Sequence, residues 1–416
     1  MEATFKKYKD LEREFDFRID GLSVSKSLTF PLYKIAKGSA NNFKFYKILN
    51  IFRAFDLSNL KFETNSHFVL SSGGLINRKD YKEIYDFVLS QCEGKVSYCL
   101  LYNLKRKVVF HPIMLIELGM SIWKYFKSEK ISLSSLIGFY SSAAMLCNSA
   151  IELKKLNLRG IKKYLAFENA IGYENLITQF MKLRGIETYS LAEGMYMWFP
   201  ECDCIDAVQH ENIETDHLIC WGQYSVDEFV KAGISGDRLL VGGYPHPVKG
   251  LPMKKNNQYK KCVVLLTRKS FEKSNQRLLN ILSKKEGVQF CLKLHPSLSL
   301  SEYEKYAIQN GMKIIPKEMT INDCLDNDKF DFAIAVNTTA YYEALMRGVP
   351  CLRFSDGSYK LMKGYDDIFC NSEDYEIVLE KIKEASISQY QENVNEMLKY
   401  TVGYGINNYK KILLDG

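Results

Sequence analysis

Short apolar or β-branched runs in the second half of the chain leave little freedom in how that half folds. They lie near 261–267, 289–294, 312–315, 331–336 and 350–354, and segments of helical periodicity near 273–284, 301–310 and 339–347 separate them. Uniformly apolar strands alternating with amphipathic helices fit a parallel sheet covered on both faces, since such strands have no polar side to show to water. A doubly wound, Rossmann-like domain is predicted, with its ligand crevice at the carboxyl ends of the strands. Helices over 373–385 and 387–414 are expected to close the chain.

The first half repeats this pattern more faintly, with strands expected at His67–Ser71, Val96–Tyr102, Tyr164–Phe167, Thr188–Ala192 and His217–Trp221. Residues 112–157 read as a long, aromatic-rich helical insertion, and the Lys/Arg/Phe-rich first 60 residues fit no element of the pattern. Pro245, Pro247 and Pro252, followed by the polar run Lys254-Lys255-Asn256-Asn257-Gln258, mark a linker. With 416 residues and roughly 100 to 200 per domain, the expected organisation is α/β with two Rossmann-like domains facing a cleft. Domain boundaries are predicted at 1–243 and 244–385, with closing helices over 386–416.

A composition of 46% hydrophobic and 25% charged residues excludes disordered and fibrous classes. The net charge of +7 is too small for a dedicated nucleic-acid binder and leaves anionic small molecules and membrane surfaces as partners. The start Met1-Glu2-Ala3-Thr4-Phe5-Lys6-Lys7 lacks the apolar core of a secretory signal, so a cytoplasmic location is expected. Cysteines such as Cys262 sit inside apolar runs, where they act as small hydrophobes, and no disulfide framework is expected. Cys202 and Cys204 have no second close pair to complete a zinc site. The uncharged stretch Ile131–Ile151 contains Ser132, Ser134, Ser135, Ser141, Ser142, Ser149 and Asn148, which argues for a buried or interfacial helix over a membrane span.

Lys293-Leu294-His295-Pro296 follows the apolar run Val288–Leu292. At a strand's carboxyl end, His-Pro puts an imidazole at the crevice while proline turns the chain away. Alone, the pair equally fits a structural strand end. A second cluster, Asn337-Thr338-Thr339, follows the run Phe332–Val336 and begins a helix carrying Glu343. Thr338 or Thr339 can cap that helix, and Glu343 lies one turn on, in reach of ribose hydroxyls; a plain cap with a surface carboxylate reads the same. Thr267-Arg268 follows the run at 261–267 and offers a hydroxyl and a cation to a phosphate, or forms a solvated basic turn. In the first half, Ala192-Glu193-Gly194 ends a strand and supplies a carboxylate suited to general-base work, or an exposed turn carboxylate. Ser72, Gly73, Gly74 and Arg78 follow an earlier strand and are candidates for an acceptor side. No Asp-x-Asp follows a strand as a divalent-metal donor site requires, and Asp326-Asn327-Asp328 reads as a loop before one; neither a metal nor an organic cofactor is implied.

With these motifs in order and at about the right separation, residues 160–370 resemble the bacterial glycosyltransferases and polyol-phosphate transferases of the GT-B fold, the Lys-x-His-Pro group. The resemblance implies a GT-B-like chain whose C-terminal domain binds the donor nucleotide through Lys293, His295, Pro296, Asn337, Thr338, Thr339 and Glu343, with Thr267 and Arg268 nearby. It implies an inverting, metal-independent transferase that uses Glu193 and His295 to move a sugar from a nucleotide-sugar donor to a glycan or lipid-linked glycan. Separately, the aromatic and basic segments near 104–127 and the apolar stretch 131–151 fit peripheral contact with the plasma membrane's inner face. A CMP-sugar such as sialic acid or Kdo is the favoured donor. Relatives read Gln-His-Gly, or carry an acidic pair, where this chain has Ala192-Glu193-Gly194, and that departure weighs against a CDP-polyol phosphotransferase. A UDP-sugar transferase or CDP-polyol phosphotransferase of the same fold, a nucleotide-sugar 2-epimerase and an inactive scaffold are the alternatives.

Overall fold

The computed structural model describes residues 2–38, 45–56, 68–72, 79–92, 96–100, 105–127, 131–158, 160–167, 169–198, 212–247, 252–253 and 259–415. They form two compact units, Met1–Trp221 with Ser225–Pro245 and Asn407–Gly416, and Gly222–Tyr224 with His246–Ile406.

The first unit holds a six-stranded sheet of β1 (Phe68–Ser72), β2 (Val96–Leu100), β3 (Lys163–Ala166), β4 (Glu187–Leu191), β5 (His217–Cys220) and β6 (Leu239–Val241). Every pairing is parallel, in the spatial order β6-β5-β4-β3-β1-β2. The second unit holds β7 (Lys261–Leu265), β8 (Gln289–Lys293), β9 (Lys313–Ile314), β10 (Phe332–Ala335), β11 (Cys351–Phe354) and β12 (Ile368–Phe369). They too are all parallel, in the order β9-β8-β7-β10-β11-β12. Both orders are doubly wound, so the chain carries two Rossmann-like α/β units. Each sheet reverses direction once, between β1 and β3 in the first unit and between β7 and β10 in the second. In doubly wound sheets the ligand crevice lies at that point.

The helical insertion is present as Pro112–Phe126 and Leu133–Leu153. The second of these is long and apolar enough to cross a membrane, yet most of it is buried within the unit. Its polar residues explain why: Asn148 donates to the carbonyls of Ile51 and Arg53 at 2.9 and 3.2 Å, and the Phe55 amide donates to Ser149 Oγ. The first 60 residues, unassigned from sequence, contribute helices Glu2–Glu14 and Thr29–Ala36. A buried polar network fastens them: Ser27 Oγ and Gln179 Nε2 both donate to Asn175 Oδ1, and Gln179 exchanges hydrogen bonds with the Ser23 backbone.

The expected loop at Asp326-Asn327-Asp328 is instead the end of helix Ile321–Asn327. Its start is a reciprocal cap between Thr320 and Asp323, and its acids serve ion pairs, Asp326 with Arg347 and Asp328 with Lys261, each at 3.1 Å. The helix expected over 387–414 stops at Val402, where Gly403 takes a left-handed φ of 73°. The chain then returns to the first unit, where the Asn408 amide donates to the Gly242 carbonyl and the Tyr409 hydroxyl to that of Gly243, both at 2.8 Å.

Candidate functional site

In the second unit, three strand ends meet at the point where the sheet reverses. β7 leads into buried Thr267, whose amide donates to Asn275 Oδ1 at 3.2 Å and whose carbonyl accepts from Asn275 Nδ2 at 2.9 Å. Thr267 Oγ1 donates to the Asn337 carbonyl at 3.4 Å, linking the ends of β7 and β10. On the other side, the Lys269 amide donates to Ser297 Oγ at 3.0 Å, linking the ends of β7 and β8. Ser297 also fixes His295: its amide donates to Nδ1 at 3.1 Å, and its hydroxyl lies 2.9 Å from the same nitrogen. An accepting Nδ1 places the neutral ring's proton on Nε2. Thus Thr267, Arg268, His295, Pro296, Asn337, Thr338 and Thr339 lie on neighbouring loops, with the β8 and β10 ends separated by two strand spacings, about 10 Å.

Asn337 adopts a φ of 42°, a left-handed conformation that asparagine tolerates better than most residues. Its side chain reaches the segment after β11, donating to the Lys360 carbonyl at 3.2 Å and accepting from the Met362 amide at 3.1 Å. Thr338 Oγ1 accepts the Ala340 amide at 3.4 Å, whereas Thr339 makes no side-chain cap to helix Ala340–Met346. Glu343 is half-buried on that helix, and Arg268 is half-buried beside β7.

Lys293 is placed differently from its neighbours. It is buried, and its ammonium donates to the Pro316 carbonyl at 3.1 Å, on the β9 side of β8 and away from the β7–β10 crevice. Burial there lowers its pKa.

A cluster absent from the sequence reading anchors the segment after β11. Buried Arg353 binds Asp367 with Nε at 2.7 Å and Nη2 at 2.6 Å, and also donates to the carbonyls of Met362 and Tyr365. The Tyr341 hydroxyl donates to the other Asp367 oxygen. Burial pushes the Asp367 carboxyl up to about 6 against the opposing pull of Arg353, so it stays ionised at neutral pH. One signal in the sequence points to this cluster: an arginine inside the strand run Cys351-Leu352-Arg353-Phe354 needs a buried anion. Ser297 and Asn275 were likewise missed.

In the first unit, Glu193 follows β4 and is half-buried. It lines a pocket with Asn169, Ser190, Tyr196 and Phe229, whose open volume of about 40 Å³ admits little more than a water or one hydroxyl. Tyr196 and Phe229, both in its lining, stack with ring centroids 3.8 Å apart. Ser72 ends β1; Gly73, Gly74 and Arg78 lie outside the described residues, as do Cys202 and Cys204. Among the described residues no group of three His, Cys, Asp or Glu is arranged to hold a metal ion.

No family model matches the sequence, and no curated protein matches it at a significant level. Among solved structures, the lipopolysaccharide outer core galactosyltransferase WaaB is similar at 13% identity and a TM-score of 0.49, over 83% of this chain and 97% of that one. The Anabaena protein HepE in complex with UDP-glucose is similar at 10% identity and 0.49, over 84% and 98%. UDP-GlcNAc 2-epimerase from Neisseria meningitidis is similar at 11% and 0.46, over 84% and 98%. At such identities, activity and substrate have to be argued from this chain's own residues.

Proposed function

We propose that the chain is an inverting, metal-independent glycosyltransferase acting on a nucleotide-activated sugar, with a growing bacterial surface glycan of the capsule or lipopolysaccharide kind as acceptor. The observation that carries this reading is the hydrogen-bonded convergence of Thr267, His295–Ser297 and Asn337–Thr339 at the reversal point of the second unit's sheet. Doubly wound sheets bind nucleotides at that position. In this reading His295 Nε2–H and the Thr338 and Thr339 segment hold the donor phosphate, Arg268 adds positive charge, and Glu343 takes the ribose hydroxyls.

The reaction balances without a co-reactant. An acceptor hydroxyl oxygen attacks the anomeric carbon, the bond from that carbon to the phosphate oxygen breaks, and its electron pair leaves on the phosphate. The hydroxyl proton goes to Glu193, whose pocket has room for a single hydroxyl. Charge growing on the phosphate is met by fixed donors, which is how such sites lower a barrier without a metal.

The resemblance of Lys293-Leu294-His295-Pro296 makes a CMP-sugar the first donor to test. A UDP-sugar is the second reading, favoured by the spread of the site: clusters two strands apart can each grip one phosphate of a diphosphate. The test is transfer from CMP- and UDP-sugars to a glycan acceptor, read by mass spectrometry of both products. Glu193→Gln is expected to lower turnover by about 100 to 10,000-fold while nucleotide binding is kept. Full turnover in Glu193→Gln overturns the assignment of the base, and product isomerised without acceptor identifies an epimerase. No turnover with any donor, alongside intact cellular function of the Glu193→Ala and His295→Ala variants, identifies a scaffold.

A further inference from the structure

Helix Pro112–Phe126 of the first unit is apolar on two faces, and only one of them is packed. Met114, Leu115, Leu118, Ile122 and Phe126 are buried in the unit's core. With about 3.6 residues per turn, Ile113, Ile116, Met120 and Trp123 share another arc, and these four side chains are 61–73% exposed. Val108 and Phe110, both exposed, continue the stripe along the chain leading into the helix, and the Phe110 ring meets that of Phe52 at 6.0 Å. Beside Trp123 an apolar pocket of about 290 Å³, lined by Ile48, Ile51, Ile122, Leu136 and Tyr140, gives this surface depth. A contiguous apolar surface of this kind marks a partner.

Charge says which partner. Lys105 and Arg106 are exposed before the stripe, and Lys124 and Lys127 at its far end, while Glu117 is the helix's one acid. A second copy of the chain laid along the stripe, parallel or antiparallel, brings basic ends against basic ends. An anionic bilayer answers both features, taking apolar side chains into the boundary between headgroups and acyl chains and pairing the flanking cations with lipid phosphates. Trp123 at the stripe's edge is a residue type that favours this boundary.

We infer that this face docks the first unit on an anionic phospholipid surface. The inference goes beyond the transferase reading and does not depend on it, because binding is measured without nucleotide.

The experiment is flotation with vesicles of phosphatidylglycerol and phosphatidylcholine, and with phosphatidylcholine alone, at low salt. The protein is expected to float with the anionic vesicles and to show a blue shift in Trp123 emission. Trp123→Phe should abolish that shift while most flotation persists. The triple variant Ile113→Ser, Ile116→Ser, Met120→Ser changes exposed side chains only; it should lower partitioning by at least about tenfold with an unchanged melting temperature. Lys124→Glu with Lys127→Glu should weaken flotation most at low salt. Protein remaining in the soluble fraction at low salt overturns the inference. So does light scattering in which the native chain is a dimer, the triple variant is a monomer, and neither binds vesicles.

Discussion

Both units are six-stranded parallel sheets of doubly wound order, yet their hydrogen-bonding side chains do different things. In the second unit they tie strand-end loops to one another: Asn275 to Thr267, Ser297 to Lys269, Asn337 to Lys360 and Met362, Arg353 to Met362 and Tyr365. In the first, Asn175, Gln179 and Asn212 fasten the N-terminal segment onto the turn and helix that follow β3, and Asn212 Nδ2 reaches the Ala170 carbonyl at 2.7 Å. One unit thus fixes the rim of a crevice. The other secures the N-terminal segment against the turn and helix that follow β3. The two units share a fold and differ in where their polar bonds are placed.

The largest effect that can break this contrast is at Arg353. Arg353→Leu leaves the Asp367 carboxylate buried without its cation, a loss expected to cost about 3–5 kcal/mol, read as a lower urea midpoint for the second unit. The matching change in the first unit, Glu152→Gln, frees Lys107 and Lys155 to water, since both reach solvent; it is expected to cost less than half as much.

Gly364→Ala bears on the same cluster, because an added Cβ runs into the Arg353 guanidinium, which is locked by its bonds. An overpacking cost of about 1–3 kcal/mol is expected, together with weaker nucleotide binding as the segment after β11 shifts. Unchanged binding would detach that segment from the site.

Asn337 separates conformation from bonding. Asn337→Gly keeps the positive φ and loses the bonds to Lys360 and Met362, about 1 kcal/mol. Asn337→Ala loses both and is expected to cost about 2 kcal/mol, measured by thermal unfolding. Equal costs for the two variants would mean that the backbone there is unstrained.

The smallest effect belongs to the first unit. Burial alone would raise the Asp216 pKa, but the Thr188 hydroxyl and amide, at 2.7 and 3.0 Å, and Lys182 hold it below the usual carboxylate range. A folded pKa below the unfolded one contributes stability above the ordinary carboxylate pKa, and that contribution is lost as pH falls through the folded value. The side chain is partly exposed, so Asp216→Asn is expected to cost under about 1 kcal/mol at pH 7 and nothing in strong acid.

What the sequence revealed follows the strength of its periodic signal. β7, β8, β10 and β11 are apolar runs long enough to stand out, and their ends carry the residues that meet at the crevice. β12, the pair Ile368–Phe369, is too short for any pattern. Helix Ile321–Asn327 was legible in Thr320-Ile321-Asn322-Asp323, a capping signature hidden by the acidic run after it. Glu2–Glu14 does bury Tyr8 and Leu11, with Phe15 just after it, in the first unit's core, but charged residues crowd the rest of the helix and hid that stripe in the sequence, and the bonds of Ser27 to Asn175 and Gln179 carry no periodic signal. At the site, His295 and the Asn337 segment were readable as strand-end residues. Ser297, which orients His295, was not, since a serine two residues after a histidine carries no periodic or motif signal. Lys293 belongs to the recognised motif, yet its ammonium is bound at Pro316.

The central claim, a metal-independent nucleotide site in the second unit, is tested most directly by the melting temperature of the whole chain with CMP, CDP, UDP, GDP and ADP, each with EDTA and with magnesium. Binding to the folded state alone raises that temperature. A rise with a pyrimidine nucleotide is expected, equal in EDTA and magnesium and lost in His295→Ala. No rise with any nucleotide, or a rise that persists in His295→Ala, would contradict it.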